Sequence, residues 1–228
     1  MTEGRDGRLA LITGASSGIG AALALALVRR GWRVVIAARR REVLDELAAR
    51  APDALIPRVL DVTDPSAFTE TVAALEAEHG ELDTVVLNAG DYEPGGLDAL
   101  EPALFERIMR VNYLGVVHGL VACLPPMRRR RRGQILVTAS LSAYRGLPGA
   151  AAYGASKAAV LNLAESLRPE AEAAGVTLRV INPGFVKSRL TDKNDFHMPQ
   201  LLRPPRWRLP ASSGLSTAMG LRSPSRGD

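Results

Sequence analysis

Tyr153 and Lys157, in the stretch Tyr153-Gly-Ala-Ser-Lys157, are a pair whose types and spacing could do chemistry. Four positions apart on a helix, they share one face, about one turn from each other. A phenol titrates near ~10 and is a poor acid or base at neutral pH. An ammonium held beside it stabilises the phenolate and lowers that value. The spacing alone is unspecific, because such pairs are ordinarily solvated, so the surroundings decide.

A second constellation is Gly14-Ala-Ser16-Ser17-Gly18-Ile19-Gly20. The apolar run Arg8 to Thr13 before it reads as a buried strand. Ala21 to Arg30 after it is strongly helix-forming and is closed by Gly31. Strand, glycine-rich turn and helix form the context that a dinucleotide-binding motif needs. The spacing is G-x-x-x-G-x-G rather than G-x-G-x-x-G, but the physics is shared. Glycines permit a tight turn and close approach of backbone to a pyrophosphate, and the helix N-terminus offers N–H groups and a positive dipole end.

Arg33 to Ala38 reads as a second strand, followed at once by Arg39, Arg40 and Arg41. In a mononucleotide-binding βαβ unit the end of the second strand meets the adenosine ribose. An acid there holds the 2′-OH of NAD, whereas arginine accommodates the 2′-phosphate of NADP. No acid stands here, which predicts NADP, with Arg39 as the main contact and Ser16 as helper. Arg40 and Arg41 are expected only to begin a solvated helix, Glu42 to Arg50.

The elements that must position these residues follow in order. Ala54 to Leu60 reads as a third strand, leading to Asp61 and Val62. Asp64-Pro65 opens a helix, with an N-cap and a proline at its first position, running to His79-Gly80. Leu82 to Leu87 is a fourth, wholly buried strand that runs into Asn88-Ala89-Gly90. A long helix is expected from about Glu101 towards Leu124, stopped by Pro125-Pro126 and carrying Asn112. Gly133 to Ala139 and Val176 to Ile181 are the fifth and sixth strands, and Ala150 to Ala174 is the long helix between them. This alternation predicts an α/β fold, a Rossmann-type doubly wound parallel sheet with strand order 3-2-1-4-5-6. Ligands of such sheets sit at the carboxyl ends of the strands, where these motifs fall.

Composition narrows the function classes. Apolar residues make up 46%, enough for a full core, and aromatics only 4%, so the core is built from Ala, Leu, Val and Ile. The single Cys123 excludes an internal disulfide and a multi-cysteine metal site, and reads as a buried small hydrophobe. His79, His118 and His197 have no partners at metal-ligand spacing, so no metal is expected. Met1 to Arg8 does not resemble a signal peptide, and the longest wholly apolar run, Ala21 to Val28, is too short to span a bilayer. A cytoplasmic protein without a membrane partner is expected. The net charge is +5, of which residues 199–228 carry +4, leaving a near-neutral body with little footprint for nucleic acid. The run Arg128 to Arg132 reads as an exposed loop, since charge runs are usually solvated.

Thr13-Gly-Ala-Ser-Ser-Gly-Ile-Gly20, Asn88-Ala-Gly90, Asn112, Ser140, Tyr153-x-x-x-Lys157 and Pro183-Gly184 occur in one order over roughly residues 8 to 190. Together they resemble the short-chain dehydrogenase/reductase family. The resemblance implies that Tyr153 is the catalytic acid/base and that Lys157 binds the nicotinamide ribose and depresses the tyrosine pKa. It selects Ser140, thirteen positions before Tyr153, over Ser142 for the carbonyl-binding role, leaving Ser142 as a neighbour near the substrate. It implies that the Asn112 backbone helps hold a proton-relaying water. Asp61 and Val62 are to cradle adenine, while Asn88, Ala89 and Gly90 shape the adenosine side. Pro183, Gly184 and Val186 are to line the nicotinamide pocket, with Ser188 near the carboxamide. The implied activity is hydride transfer between NADP(H) and a carbonyl or secondary alcohol. A homodimer or homotetramer using the helices around 101–124 and 150–174 is expected.

The resemblance weakens after about residue 190. Residues 199–228 hold five of the fifteen prolines and show no sustained periodicity. They read as a basic, Pro/Ser/Gly-rich disordered tail following a catalytic domain of residues 1–198, as a shifted reading frame would produce. The family's seventh strand is therefore expected to be absent. The alternative reading is a cofactor-binding but catalytically impaired protein lacking its substrate-covering segment.

Overall fold

The computed structural model describes residues 7–184 and 186. Six strands form one sheet: β1 (Leu9–Thr13), β2 (Arg33–Ala38), β3 (Leu55–Val59), β4 (Thr84–Leu87), β5 (Gln134–Thr138) and β6 (Thr177–Ile181). Their order is β3-β2-β1-β4-β5-β6, and every pairing is parallel. Strand registers are in step at the carboxyl ends, with Thr13 beside Ala37 and Thr138 beside Ile181.

Side chains alternate across a strand, so each central strand feeds two cores. Leu9, Leu11, Val85, Leu87, Ile135 and Val137 point to one face. There they meet α3 (Pro65–His79) through Phe68 and Val72, α5 (Gly115–Arg129) through Val116 and Leu120, and α6 (Ala151–Ala173) through Val160 and Ala164. Ala10, Ile12, Val34, Ile36, Val86 and Leu136 point the other way, onto α1 (Gly18–Val28) and α2 (Arg41–Ala48) through Leu23, Leu27 and Leu44. This is a Rossmann-type doubly wound sheet. Cys123 is buried in the first core, as a small hydrophobe, and burial pushes its thiol up to about 12.

Local signals set several ends as expected. Asp64 caps α3, its Oδ1 accepting from the Ala67 N–H at 3.0 Å, with Pro65 in the first turn; Gly80 closes the helix at φ 89°. The stretch expected as one helix up to Pro125 differs. It is α4 (Pro102–Met109), a π-helical turn over Arg110–Leu114, and α5, which runs through both prolines to Arg129. Interior proline costs about 3 kcal/mol, but the turn is held from outside: Met127 is buried in the core, and Arg130 just beyond is anchored by tertiary bonds.

Those bonds also revise the reading of Arg128 to Arg132 as an exposed loop: Arg128, Arg129, Arg131 and Arg132 are exposed as expected, and Arg130 is the exception. Arg128 and Arg129 finish α5. Arg130 is half-buried and donates to Glu76 at 2.7 Å and to the Leu82 carbonyl at 2.6 Å. Arg131 donates to the Ala173 carbonyl, and Arg132 pairs with Glu81. The run is thus largely solvated, with Arg130 anchored at the chain crossing by Glu76 and the Leu82 carbonyl.

Pro102–Arg129 is also, by length and a mean hydropathy of 1.3 in one window, long and apolar enough to cross a membrane. It is not a wholly apolar run, because arginines and polar residues interrupt it. In the fold its α5 half packs on α3 and β4. The expectations for the tail and the seventh strand lie outside the described residues.

Candidate active site

The carboxyl ends of the strands open on one cleft of about 470 Å³. Its wall brings together Gly14, Ser16, Ser17, Gly18 and Ile19 after β1, Arg39 after β2, Asp61 and Val62 after β3, and Asn88, Ala89 and Gly90 after β4. Ser140 after β5, Tyr153 and Lys157 on α6, and Pro183, Gly184 and Val186 after β6 complete it. Gly20 and Asn112 stand behind the wall, and Ser188 lies outside the described residues.

The β1–α1 turn is fixed by contact with the loop after β4. Gly14 has φ 65°, and a Cβ there would meet Ala89 Cα at 2.7 Å. At Gly20 a Cβ would meet the Gly14 oxygen at 2.6 Å, so this glycine serves packing of the turn rather than the wall. The Thr13 hydroxyl accepts from the N–H groups of Asn88 (3.0 Å) and Ala89 (3.1 Å), and Asn88 Nδ2 donates to the Thr13 carbonyl at 3.1 Å. Thr13 thus ties the turn to the loop, a role its place just before Gly14 could have suggested.

At the far end Arg39 and Arg40 are both exposed on the wall. The expectation that Arg40 only begins a helix is corrected. Its guanidinium donates to Ser16 Oγ at 3.2 Å, across from β2 to the glycine turn. Arg41 alone behaves as a helix-start residue, paired with Asp45 at 2.9 Å. The Asp61 carboxylate accepts from both the N–H and the hydroxyl of Thr63, which orients it in its turn.

At the opposite end, the Tyr153 hydroxyl is hydrogen-bonded to Ser140, whose Oγ also accepts from the Ser142 N–H at 3.2 Å. Ser142, expected as a neighbour near the substrate, is buried beside Ser140 and is not part of the cleft wall. Lys157 is buried; its Nζ donates to the Thr138 carbonyl at 2.7 Å and lies 5.7 Å from the Tyr153 ring centroid. The expected lowering of the phenol by the ammonium is not what governs it here. Burial raises the Tyr153 pKa above its ordinary value, opposed by the hydrogen bond with Ser140, while Tyr92 adds to the rise. Burial also lowers Lys157, to about 8.

Asn112 is fully buried in the π-helical turn, where the wider backbone turns its amide inward. Oδ1 accepts from the Asp91 N–H at 2.7 Å, and Nδ2 donates to the Asp91 carbonyl and to Ser156 Oγ, both at 2.9 Å. The Ser156 hydroxyl in turn donates to the Tyr153 carbonyl at 2.7 Å. Asp91 and Ser156 were not picked out from the sequence; only the neighbouring motifs hinted at them. No group of three His, Cys, Asp or Glu side chains able to hold a metal occurs among the described residues.

Residues 8–198 match the family model described as short chain dehydrogenase. A Myxococcus xanthus protein named an uncharacterized oxidoreductase is 46% identical over 201 residues, 86% of this chain and 78% of that protein. A 3-oxoacyl-[acyl-carrier-protein] reductase of Thermotoga maritima is 31% identical over 82% of this chain and 78% of its own. Among solved structures, a gluconate 5-dehydrogenase from Burkholderia cenocepacia in complex with NADP and tartrate has a TM-score of 0.77 at 34% identity, covering 82% and 74% of the two chains. A 3-ketoacyl-(acyl-carrier-protein) reductase from Brucella melitensis complexed with NADH gives 0.79 at 29% identity, covering 87% and 86%.

Proposed function

The chain belongs to the short-chain dehydrogenase/reductase family of oxidoreductases, and from that premise we propose that it is NADP-dependent and acts on a small carbonyl compound or secondary alcohol, with Tyr153 as acid/base. The carrying observation is that one cleft holds Tyr153, Ser140 and Lys157 at one end and Arg39 and Arg40 at the other.

The residues present fit a dinucleotide. Ser17 caps α1 without a side-chain hydrogen bond, so the first turn of α1 offers N–H donors and a positive dipole end to a pyrophosphate. Tight packing at Gly14 and Gly20 brings that turn against the cleft. Beyond it, Arg39, Arg40 and Ser16 form a donor set suited to a 2′-phosphate, and no carboxylate follows β2 to claim a free 2′-OH. The relatives' cofactors include both NADP and NADH, so this choice rests on the arginines.

When bound, the nicotinamide supplies or accepts the hydride. The chain supplies position and the proton. Ser140 donates a hydrogen bond to the carbonyl oxygen of the substrate and stabilises the charge that develops there. Tyr153 gives its phenolic proton to the same oxygen. Lys157 holds the ribose side and, while charged, favours the phenolate left behind. Asn112 positions the helix turn that carries Tyr153 through Ser156. Asp61 and Val62 support the adenine, Asn88 to Gly90 shape the adenosine side, and Pro183, Gly184 and Val186 border the nicotinamide. A cytoplasmic homodimer or homotetramer formed through the α4–α5 and α6 faces completes the reading.

Fluorescence on adding NADPH or NADH, followed by oxidation of NADPH with a panel of aldehydes and ketones, tests it. NADPH is expected to bind at least tenfold more tightly, and Tyr153→Phe is expected to keep that binding while losing the 10²–10⁴-fold typical of general acid catalysis. Equal affinity for NADH would refute the cofactor assignment. Retained turnover in Tyr153→Phe would refute the acid/base assignment.

A further inference from the structure

Tyr92 follows β4 two residues beyond Gly90 and is buried, without lining the cleft itself. Its ring meets the Tyr153 ring edge to face, with centroids 5.2 Å apart and planes at 73°. This is a favoured aromatic arrangement, with the positive edge of one ring toward the negative face of the other. We infer that Tyr92 is a positioning residue for Tyr153, its ring holding the phenol in the orientation that aims the hydroxyl at the reacting oxygen. The inference rests on the acid/base reading of Tyr153.

A support must itself be fixed, and Tyr92 is. The backbone of Asp91 is gripped on both its N–H and its carbonyl by Asn112. The Asp91 carboxylate accepts from the Tyr92 N–H at 2.8 Å and is ion-paired with Arg107 of α4, which also stands 3.8 Å from Glu93. Further along, the Gly95 N–H donates to the Gly149 carbonyl at 2.9 Å, and Gly95 bridges Ala150, the residue just before α6. The loop bearing Tyr92 and the helix bearing Tyr153 are therefore tied together at two places. Through Ser156, the same Asn112 amide also sets the Tyr153 backbone. Both rings are referenced to one buried side chain, so their mutual orientation is built in rather than incidental.

Tyr153 also has the Lys157 ammonium 5.7 Å from its ring centroid and Ser140 at its hydroxyl. Without an aromatic ring at 92, the phenol gains freedom about its side-chain torsions, and misplacement of a catalytic group by about 1 Å can cost about a hundredfold in rate.

Two variants of the full chain test this: Tyr92→Leu, which fills much of the space without a ring, and Tyr92→Phe, which keeps the ring. The rate is measured as kcat per NADPH-binding site, on the carbonyl of the panel that is turned over fastest. This normalisation removes losses that come only from misfolding. Tyr92→Leu is expected to lose about ten- to a hundredfold in kcat, with NADPH affinity unchanged. Tyr92→Phe is expected to stay within about threefold of the parent, a factor worth under half of a tenfold step in barrier.

A second readout needs no substrate. The chain has four tyrosines, Tyr92, Tyr113, Tyr144 and Tyr153, so the 19F spectrum of protein labelled with 3-fluorotyrosine can be assigned by single replacements. The Tyr153 resonance is expected to be single and sharp in the parent and in Tyr92→Phe, and split or broadened in Tyr92→Leu. A kcat in Tyr92→Leu within threefold of the parent, or a single sharp Tyr153 resonance in that variant, overturns the inference. Equal loss in both variants also overturns it, because the hydroxyl and not the ring would then be at work. Undiminished turnover by Tyr153→Phe refutes the acid/base reading itself and takes the inference with it; an inactive Tyr153→Phe beside a fully active Tyr92→Leu sinks the inference alone.

Discussion

Replacing Asn112 by alanine should destabilise the protein strongly although the residue does not touch the cleft. The side chain is 0% exposed and makes three hydrogen bonds: one accepted from the Asp91 N–H, one donated to the Asp91 carbonyl, and one donated to Ser156. Truncation leaves both polar groups of the Asp91 backbone without this partner. Losing a hydrogen-bond partner in such a part-buried place costs about 1–3 kcal/mol per group. Ser156 loses less, because its own hydroxyl still donates to the Tyr153 carbonyl. Summing the two backbone groups gives about 2–6 kcal/mol, and a water entering the space left by the amide would draw the value to about 3 kcal/mol. For a chain of this size that corresponds to a drop in Tm of roughly 6–12 °C. Urea unfolding of parent and variant followed by circular dichroism gives the free energy directly, and NADPH binding to the folded variant reports on the cleft. Since the same amide sets both Asp91 and, through Ser156, Tyr153, kcat should fall more than NADPH affinity. A loss of stability below about 1 kcal/mol would show that the buried hydrogen bonds are not what fixes this junction.

Three further outcomes follow from the same geometry. Arg40→Ala should weaken NADPH binding about ten- to a hundredfold, as expected for a lost charge-assisted hydrogen bond, and leave NADH binding unchanged; parallel titrations with the two nucleotides read the difference. Gly14→Ala places a Cβ 2.7 Å from Ala89 Cα at φ 65°, and strain of about 1–2 kcal/mol plus overpacking of about 1–3 kcal/mol should appear as a lowered urea midpoint. Lys157 titrates near 8 in the folded cofactor-free chain against an ordinary 10.5. Between those values the unfolded chain binds the proton and the folded chain does not, so stability from this group rises from pH 8 to 10.5 and is lost as pH falls through 8. Lys157→Met should flatten that part of the stability–pH curve measured by urea unfolding, and an unchanged slope would contradict the burial argument.

The sheet was legible because buried parallel strands read as continuous apolar runs ending in turn residues, and all six were found within a residue or two. Both ends of α3 were legible because Asp64, Pro65 and Gly80 act through their own backbone. The wall of the cleft followed largely from the sheet, since residues placed after parallel strands meet at one edge. What failed to show was set by contacts distant in sequence. Nothing local to Arg130 announces Glu76 or the Leu82 carbonyl, 54 and 48 positions away, so it could not be told from the four exposed arginines around it. Pro125 and Pro126 signal a helix end, and only the burial of Met127 beyond them explains why the helix continues. Arg40 reaches Ser16, 24 positions back, because β1 and β2 are neighbours in the sheet. Nothing in the sequence around Tyr92 points to Tyr153, 61 positions on; their relation exists only in the folded packing.

The electrostatics of Tyr153 and Lys157 then bear on how the proposed chemistry is set. A lysine four positions from a tyrosine is an argument for a depressed phenol only if the lysine is charged and its ammonium near the phenolate oxygen. Here burial works against charge on both groups: it raises the phenol and lowers the ammonium to about 8. The Lys157 Nζ donates one of its hydrogen bonds to the Thr138 carbonyl. The cofactor-free chain therefore keeps Tyr153 protonated at neutral pH, with Ser140 hydrogen-bonded to it. That is the state required of a proton donor to a forming alkoxide, and the wrong one for a base that must take a proton from an alcohol. On the proposed reading, coupling between the two groups would come from a change at Lys157, which lines the cleft beside Tyr153. The Tyr153–Lys157 spacing thus records where the proposed pair can act, while burial shifts the protonation equilibria of both groups.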